Sequence, residues 1–225
     1  MGTQFTEIYE QSELIRNDDR LNGKSANNLY KLYFDYLKFA IGFFQADCNQ
    51  NISQYTPFLQ QEYHYITNGT DNIFSLSPIP PSSCLFYIGK SSLNDGNYVE
   101  ITPDNYTYDS VNQTITIKGD ILTINQSIYI SGYIIGSFSV ILNQMEQMIL
   151  SEAMLIPWDQ EHIHKNSLLN HLIYGGESQP SGTQANQISA VSKVFNSQYD
   201  DVVKSMINDY TYKYSVDNLK GLGGY

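Results

Sequence analysis

The chain has 225 residues, enough for one compact domain or two small ones. Hydrophobic residues make up 41% and aromatics 13%, led by 19 tyrosines, which supplies a core and argues against disorder along the whole length. The formal net charge is -11, only Arg16 and Arg20 are arginines, and no Lys/Arg cluster appears, which argues against general nucleic-acid binding through neutralised phosphates. Acidity of this kind keeps a chain soluble; beside DNA it would act by repulsion, as the lining of a conduit.

The opening MGTQFTEIYEQSELIRNDDR is polar and lacks an apolar core segment, so it is read as carrying no signal peptide. Met1-Gly2 followed by Thr6 fits the loose myristoylation pattern and is read as coincidence. The sequons at Asn51, Asn68, Asn105, Asn112 and Asn125 are read as a product of the Asn, Ser and Thr content. No apolar run is long enough to span a bilayer.

A helix is predicted from about Ser25, where Ser25-Ala26-Asn27-Asn28 offers an N-cap. Leu29, Leu32, Tyr33, Tyr36, Leu37, Ala40, Ile41 and Phe44 recur at three- and four-residue steps. Tyr30, Phe34, Phe39 and Phe43 widen the stripe, so the helix is expected to be buried on most sides, centrally or against another subunit. SPIPPSSC, residues 77–84, is rich in helix breakers and is taken as a boundary.

A β-rich block follows. CLFYIGK (84–90), NYVEI (97–101), YTYD (106–109) and TITIKG (114–119) read as short strands, the last with Ile115 and Ile117 on one face. Asn94-Asp95-Gly96, TPDN and SVNQ read as turns, and residues 121–138 supply one or two further strands. Together they predict a small antiparallel sheet or sandwich that leans on the helices or on neighbouring subunits.

Helical spacing returns at 140–156 with Ile141, Met145, Met148, Ile149 and Ala153. Pro157 is expected to break this helix and start another, which Gly175-Gly176 ends. A last helix is expected over about 184–214. Past Tyr210 the aromatics alternate, so YTYKYSV reads as an extended segment able to add to a neighbour's sheet. The glycine-rich end reads as a mobile tail that docks through Leu222 and Tyr225.

The expected fold class is therefore α+β: a helical bundle with an inserted small antiparallel β domain and an extended C-terminal tail. The expected parts are an N-terminal helical part (1–76), a β-rich insertion (77–138), a C-terminal helical part (139–214) and a docking tail (215–225).

Chemistry-bearing motifs are weak. Glu161, His162, His164 and His171 lack the HExxH spacing and read as surface or interface residues. Asp18-Asp19 and Asp200-Asp201 are adjacent pairs that diverge, and Gly221-Leu222-Gly223-Gly224 has no strand-to-helix frame for a phosphate. No nucleophile elbow or P-loop appears. Cys48 and Cys84 read as buried free thiols, with a single disulfide between them as the alternative. The expectation is a protein that is not an enzyme and carries no cofactor or metal. Trp158 reads as a packing anchor or an interface hot spot; Tyr210, Tyr212, Tyr214, Leu222 and Tyr225 complete the expected partner-facing set.

This layout, with the block YVEITPDNYTYDSVNQTITIKGDI and the Asn/Ile/Tyr-rich style, resembles the head-to-tail adaptor (neck ring) proteins of tailed bacteriophages, in the manner of crAss-like phage virion proteins. The resemblance implies a dodecameric ring of this chain below a portal protein, contacts with further ring or tail proteins, and genomic DNA passing through without specific binding. It implies a place in the virion neck, assembled in the host cytoplasm, and no membrane. Two other classes stay open: a fibre or baseplate protein, for which a sustained heptad is missing, and a secreted or surface carbohydrate-binding module, which calls for exposed aromatics on the sheet and for an export signal, of which the opening is read as having none.

Overall fold

The computed structural model describes residues 2–15, 21, 24–68, 72–81, 83–92, 97–174, 189, 192–193 and 197–222, with 13–15, 120, 162–174, 198 and 218–222 by backbone alone. The chain is α+β, with four helices and antiparallel sheets among the described residues. It divides into two units: unit 1 comprises Met1–Asp19, Leu32–Thr56 and Ser137–Tyr225, and unit 2 comprises Arg20–Lys31 and Pro57–Gly136.

Unit 1 holds α1 (Phe5–Ile15), most of α2 (Ala26–Phe44), β1 (Tyr55–Thr56), β9 (Ser137–Phe138), α3 (Gln144–Tyr174) and α4 (Lys204–Leu222). The α2 helix follows its sequence pattern closely. Tyr33, Phe34, Tyr36, Leu37, Ala40, Ile41 and Phe44 are buried, while Lys31, Asp35, Lys38 and Gly42 form one exposed seam. On that seam Lys38 pairs with Asp35 at 2.7 Å, a contact worth little in water.

The α1 helix lies within the stretch read as merely polar. Its Phe5, Ile8, Tyr9 and Ser12 are buried at i, i+3, i+4 and i+7, and it packs on α3. Phe5 gathers Phe34, Tyr55 and Phe138 at ring separations of 5.8, 5.9 and 5.0 Å. Gly2 runs against β9 so closely that a Cβ there would lie 1.8 Å from the Phe138 carbonyl oxygen, which gives this glycine a steric reason. Thr3 bonds to Val140 and Phe138 through its backbone, both at 2.9 Å.

Pro157 does not break the third helix: α3 runs from Gln144 to Tyr174 straight through it. A proline there leaves the Ala153 carbonyl without its helical donor. Burial of Leu150, Ala153, Met154, Leu155, Ile156 and Trp158 on either side outweighs that loss. Most of 184–196 lies outside the described residues, and a π-helical turn at Ser197–Val203 leads into α4. YTYKYSV is neither extended nor a free tail, because α4 continues through it to Leu222. Tyr210 and Tyr214 are four apart and share a face, and Thr211 and Ser215 return their hydroxyls to carbonyls one turn back at 2.9 Å.

Unit 2 is built from two antiparallel sheets. One has the order β2 (Leu59–Ile66), β8 (Gln126–Ile134), β4 (Leu85–Ser92), β5 (Val99–Glu100); the other has β3 (Ile73–Ser75), β7 (Thr114–Ile117), β6 (Tyr106–Asp109). Strands thus begin at Tyr55, before the expected boundary at 77, and β2 and β3 fall in the part read as helical. Tyr63, Ile88, Ile128 and Ile130 from the first sheet and Phe74, Ile115 and Ile117 from the second bury one shared core. Each fully buried Ile there contributes about 1.5–3 kcal/mol relative to exposure.

The β6–β7 hairpin is closed by Asp109, whose carboxylate accepts bonds from the backbone of Val111 (2.8 Å) and Asn112 (3.1 Å) and the Asn112 amide (2.6 Å). Those donors hold its carboxyl below the ordinary range. Asn94-Asp95-Gly96 lies outside the described residues.

Candidate docking groove

Asn143 and Glu146 start α3 as a reciprocal cap. The Glu146 N–H donates to Asn143 Oδ1 at 3.0 Å, and the Asn143 N–H donates to Glu146 Oε2 at 2.8 Å. The pair fixes the helix's first turn and holds Glu146, fully buried, beneath it. A carboxylate there is compensated by the helix N-terminus and by its donors. The strongest donor is the Tyr210 hydroxyl from α4, 2.6 Å from Glu146 Oε1; the Cys48 thiol adds a longer contact at 3.6 Å. Tyr210 in turn accepts the Asn49 N–H at 2.8 Å and meets the Phe44 ring edge-on at 5.2 Å. Burial and Glu146 push the Tyr210 hydroxyl far above its ordinary value. Burial pushes the Cys48 thiol up to about 12, so it offers no thiolate at neutral pH.

Over this knot lies an open groove of about 720 Å³. Met145 and Met148 of α3 and Met206 of α4 line it with the rings of Tyr210 and Tyr214, while Lys213 and Asp217 are charged members of its lining. Tyr210 and Tyr214 are 4.5 Å apart, and Asn143 Nδ2 donates to the Tyr214 hydroxyl at 2.6 Å, tying α3 to α4. Methionine and tyrosine make an adaptable apolar surface with polar handles, of the kind interfaces use.

The structure brings Tyr210 and Tyr214 together and leaves Tyr212 on another side of α4, 73% exposed. Trp158 is buried in α3 at 3% exposure, the placement of a packing anchor. The Leu222 side chain and all of Tyr225 lie outside the described residues, as do the His162, His164 and His171 side chains and Asp18-Asp19. Glu161 accepts the Tyr36 hydroxyl at 2.9 Å, and Asp200 pairs with Lys204 at 3.4 Å. Cys48 and Cys84 are both free and half-buried. Among the described residues no three His, Cys, Asp or Glu side chains gather as a metal site, and no helix is long and apolar enough to cross a membrane. Sequence reasoning missed Glu146 and Met206. The Asn-x-x-Glu spacing at 143–146 was the available signal for the first; the second stood on the apolar stripe of the last helix, four residues before Tyr210, with nothing to set it apart from core. No protein-family model matches this chain, and no curated protein matches its sequence.

Proposed function

We propose that this chain is a ring subunit of the head-to-tail connector of a tailed bacteriophage: a helical bundle carrying an inserted β domain, placed between portal and tail. The observation that carries the reading is the groove between α3 and α4, lined by Met145, Met148, Met206, Tyr210 and Tyr214 and left open by the described residues. A ring of identical subunits needs a heterologous contact, in which one face of a subunit receives a different face of the next. A concave apolar surface with a charged rim meets that need, and the neighbouring copy is its occupant.

In this reading the β unit docks further ring or tail proteins, and the portal seats the ring. The charge of -11 has a use in such an assembly, since an acidic channel lets DNA slide without sticking. The reading is tested by the mass of the purified chain, alone and mixed with the portal of the same virus. A large ring, or a monomer that assembles on the portal, supports it, and Met148→Glu should abolish assembly while leaving the monomer's melting unchanged. A monomer or trimer indifferent to the portal removes it.

A further inference from the structure

Unit 2 carries a second concavity, on the face of its four-stranded sheet opposite the core. Register builds its floor. His64 pairs across to Tyr129, which pairs across to Gly89; in the next row Glu62 pairs with Ser131, which pairs with Tyr87. The Tyr129 ring is the centre, with the rings of His64, Tyr98 and Tyr87 at 5.1, 5.5 and 6.0 Å. Gly89 makes this possible, because a Cβ there would lie 2.8 Å from Tyr98 Cβ. The glycine is the space into which Tyr98 settles.

The centre is also locked. The Tyr129 hydroxyl donates to Glu62 Oε1 at 2.9 Å and accepts from the buried Asn27 amide at 3.1 Å and from Gln60 at 3.2 Å. Burial and the Glu62 carboxylate push that hydroxyl up to about 12, so it stays a donor to Glu62. Around the locked ring, Glu62 Oε2, the His64 ring nitrogens and the Lys24 ammonium have no hydrogen-bond partner among the described residues. The cavity is about 580 Å³, inside the range of about 300–1,000 Å³ that small-molecule sites occupy.

Its chemistry selects among ligands. Among the described residues Lys24 is the one cation of the lining and Glu62 stands beside the rings, so the lining offers no cluster of cationic donors for a phosphate or nucleotide. Amides and charges interleave with the rings, so a wholly apolar ligand would strand polar groups. A pyranose suits both constraints: its C–H face stacks on an aromatic ring and its rim of hydroxyls both donates and accepts. We propose that this groove binds a pyranose unit of a glycan, stacked on Tyr98 and Tyr129, with hydroxyls bonded to Glu62 Oε2 and His64. The site stands whether or not the chain assembles on a portal.

The test is saturation-transfer NMR and calorimetric titration of the full chain with methyl glycosides of glucose, galactose, mannose and N-acetylglucosamine, and with their oligosaccharides. Saturable binding of at least one is expected. Tyr98→Ala and Gly89→Ala should each weaken it by about tenfold or more, and Tyr98→Phe should retain it. Glu62→Gln, which keeps the surface packing, provides the check should either of the first two variants lose its fold. Tighter binding of the oligosaccharide identifies a polymeric glycan as the source; equal binding identifies a single sugar unit. No binding across the panel, or binding that Tyr98→Ala and Glu62→Gln leave unchanged, overturns the proposal.

Discussion

Tyr210→Phe removes one oxygen and keeps the ring, so it isolates the hydrogen bond to Glu146. The ring still meets Phe44, and the volume change is small. Asn49 is exposed, so water can take over its N–H at little cost. Glu146 is fully buried, and water does not reach the oxygen that Tyr210 leaves. Hydrogen bonds to charged groups contribute about 1.5–3 kcal/mol, and here only the longer Cys48 contact remains at that oxygen. The expected loss is about 2 kcal/mol, which lowers the melting temperature by about 4–8 °C for a chain of this size. Urea unfolding monitored at unit 1 through Trp158 measures it. A double-mutant cycle with Glu146→Gln should return a coupling of about 1–2 kcal/mol. A Tyr210→Phe variant within about 0.5 kcal/mol of the parent, the ordinary range for surface changes, would refute the claim that this bond holds the α3 start to α4.

Ile115→Ala, at a fully buried position shared by the two sheets of unit 2, should cost about 2–5 kcal/mol in denaturant unfolding. Gly2→Ala should free the segment before α1 from β9, seen as rapid hydrogen exchange at the Thr3 and Phe138 amides. Stability should fall on the alkaline side. Tyr63, Tyr129 and Tyr133 are raised from 10.0 to about 12, mainly by burial, so above pH 10 the unfolded chain loses these protons first. Their contribution is complete below pH 10 and is lost as pH rises to about 12, which alkaline melting curves and the tyrosinate absorbance should follow together.

What was legible in the sequence was periodicity with an undiluted apolar face. The α2 helix has one, and so does TITI, whose Ile115 and Ile117 are both fully buried. The α1 helix has the right spacing, but only Phe5, Ile8 and Tyr9 among polar neighbours carry it. LQQEYHYI alternates poorly because Gln60, Glu62 and His64 line a polar outer face while Tyr63 alone on β2 is fully sunk. Pro157 and YTYKYSV misled because local preference lost to packing: buried neighbours carry α3 through the proline, and the Tyr210–Tyr214 pair holds α4. The two grooves lay further out of reach. Each is assembled from segments distant in the chain, and only strand register or helix packing brings His64 beside Tyr129 or Met145 beside Met206.

The smallest ladder in the molecule has a consequence for how the chain reaches its fold. In β1 and β9 Thr56 pairs directly with Ser137, and Tyr55 with Phe138. Everything from Pro57 to Gly136 therefore departs from and returns to facing positions on two neighbouring strands. Closing a floppy loop on the order of 80 residues costs about 4 kcal/mol in chain entropy. A prefolded unit 2 lowers that cost by holding its own ends near each other, so β1 and β9 zip late and quickly behind it. The same geometry makes the interruption dispensable in principle: a two-residue Asn-Gly turn between Thr56 and Ser137 would close an ordinary hairpin. Such a junction lets the 57–136 segment vary in length and sequence while β1 and β9 keep their pairing, with the first turns of α2 the one helical part that must vary with it.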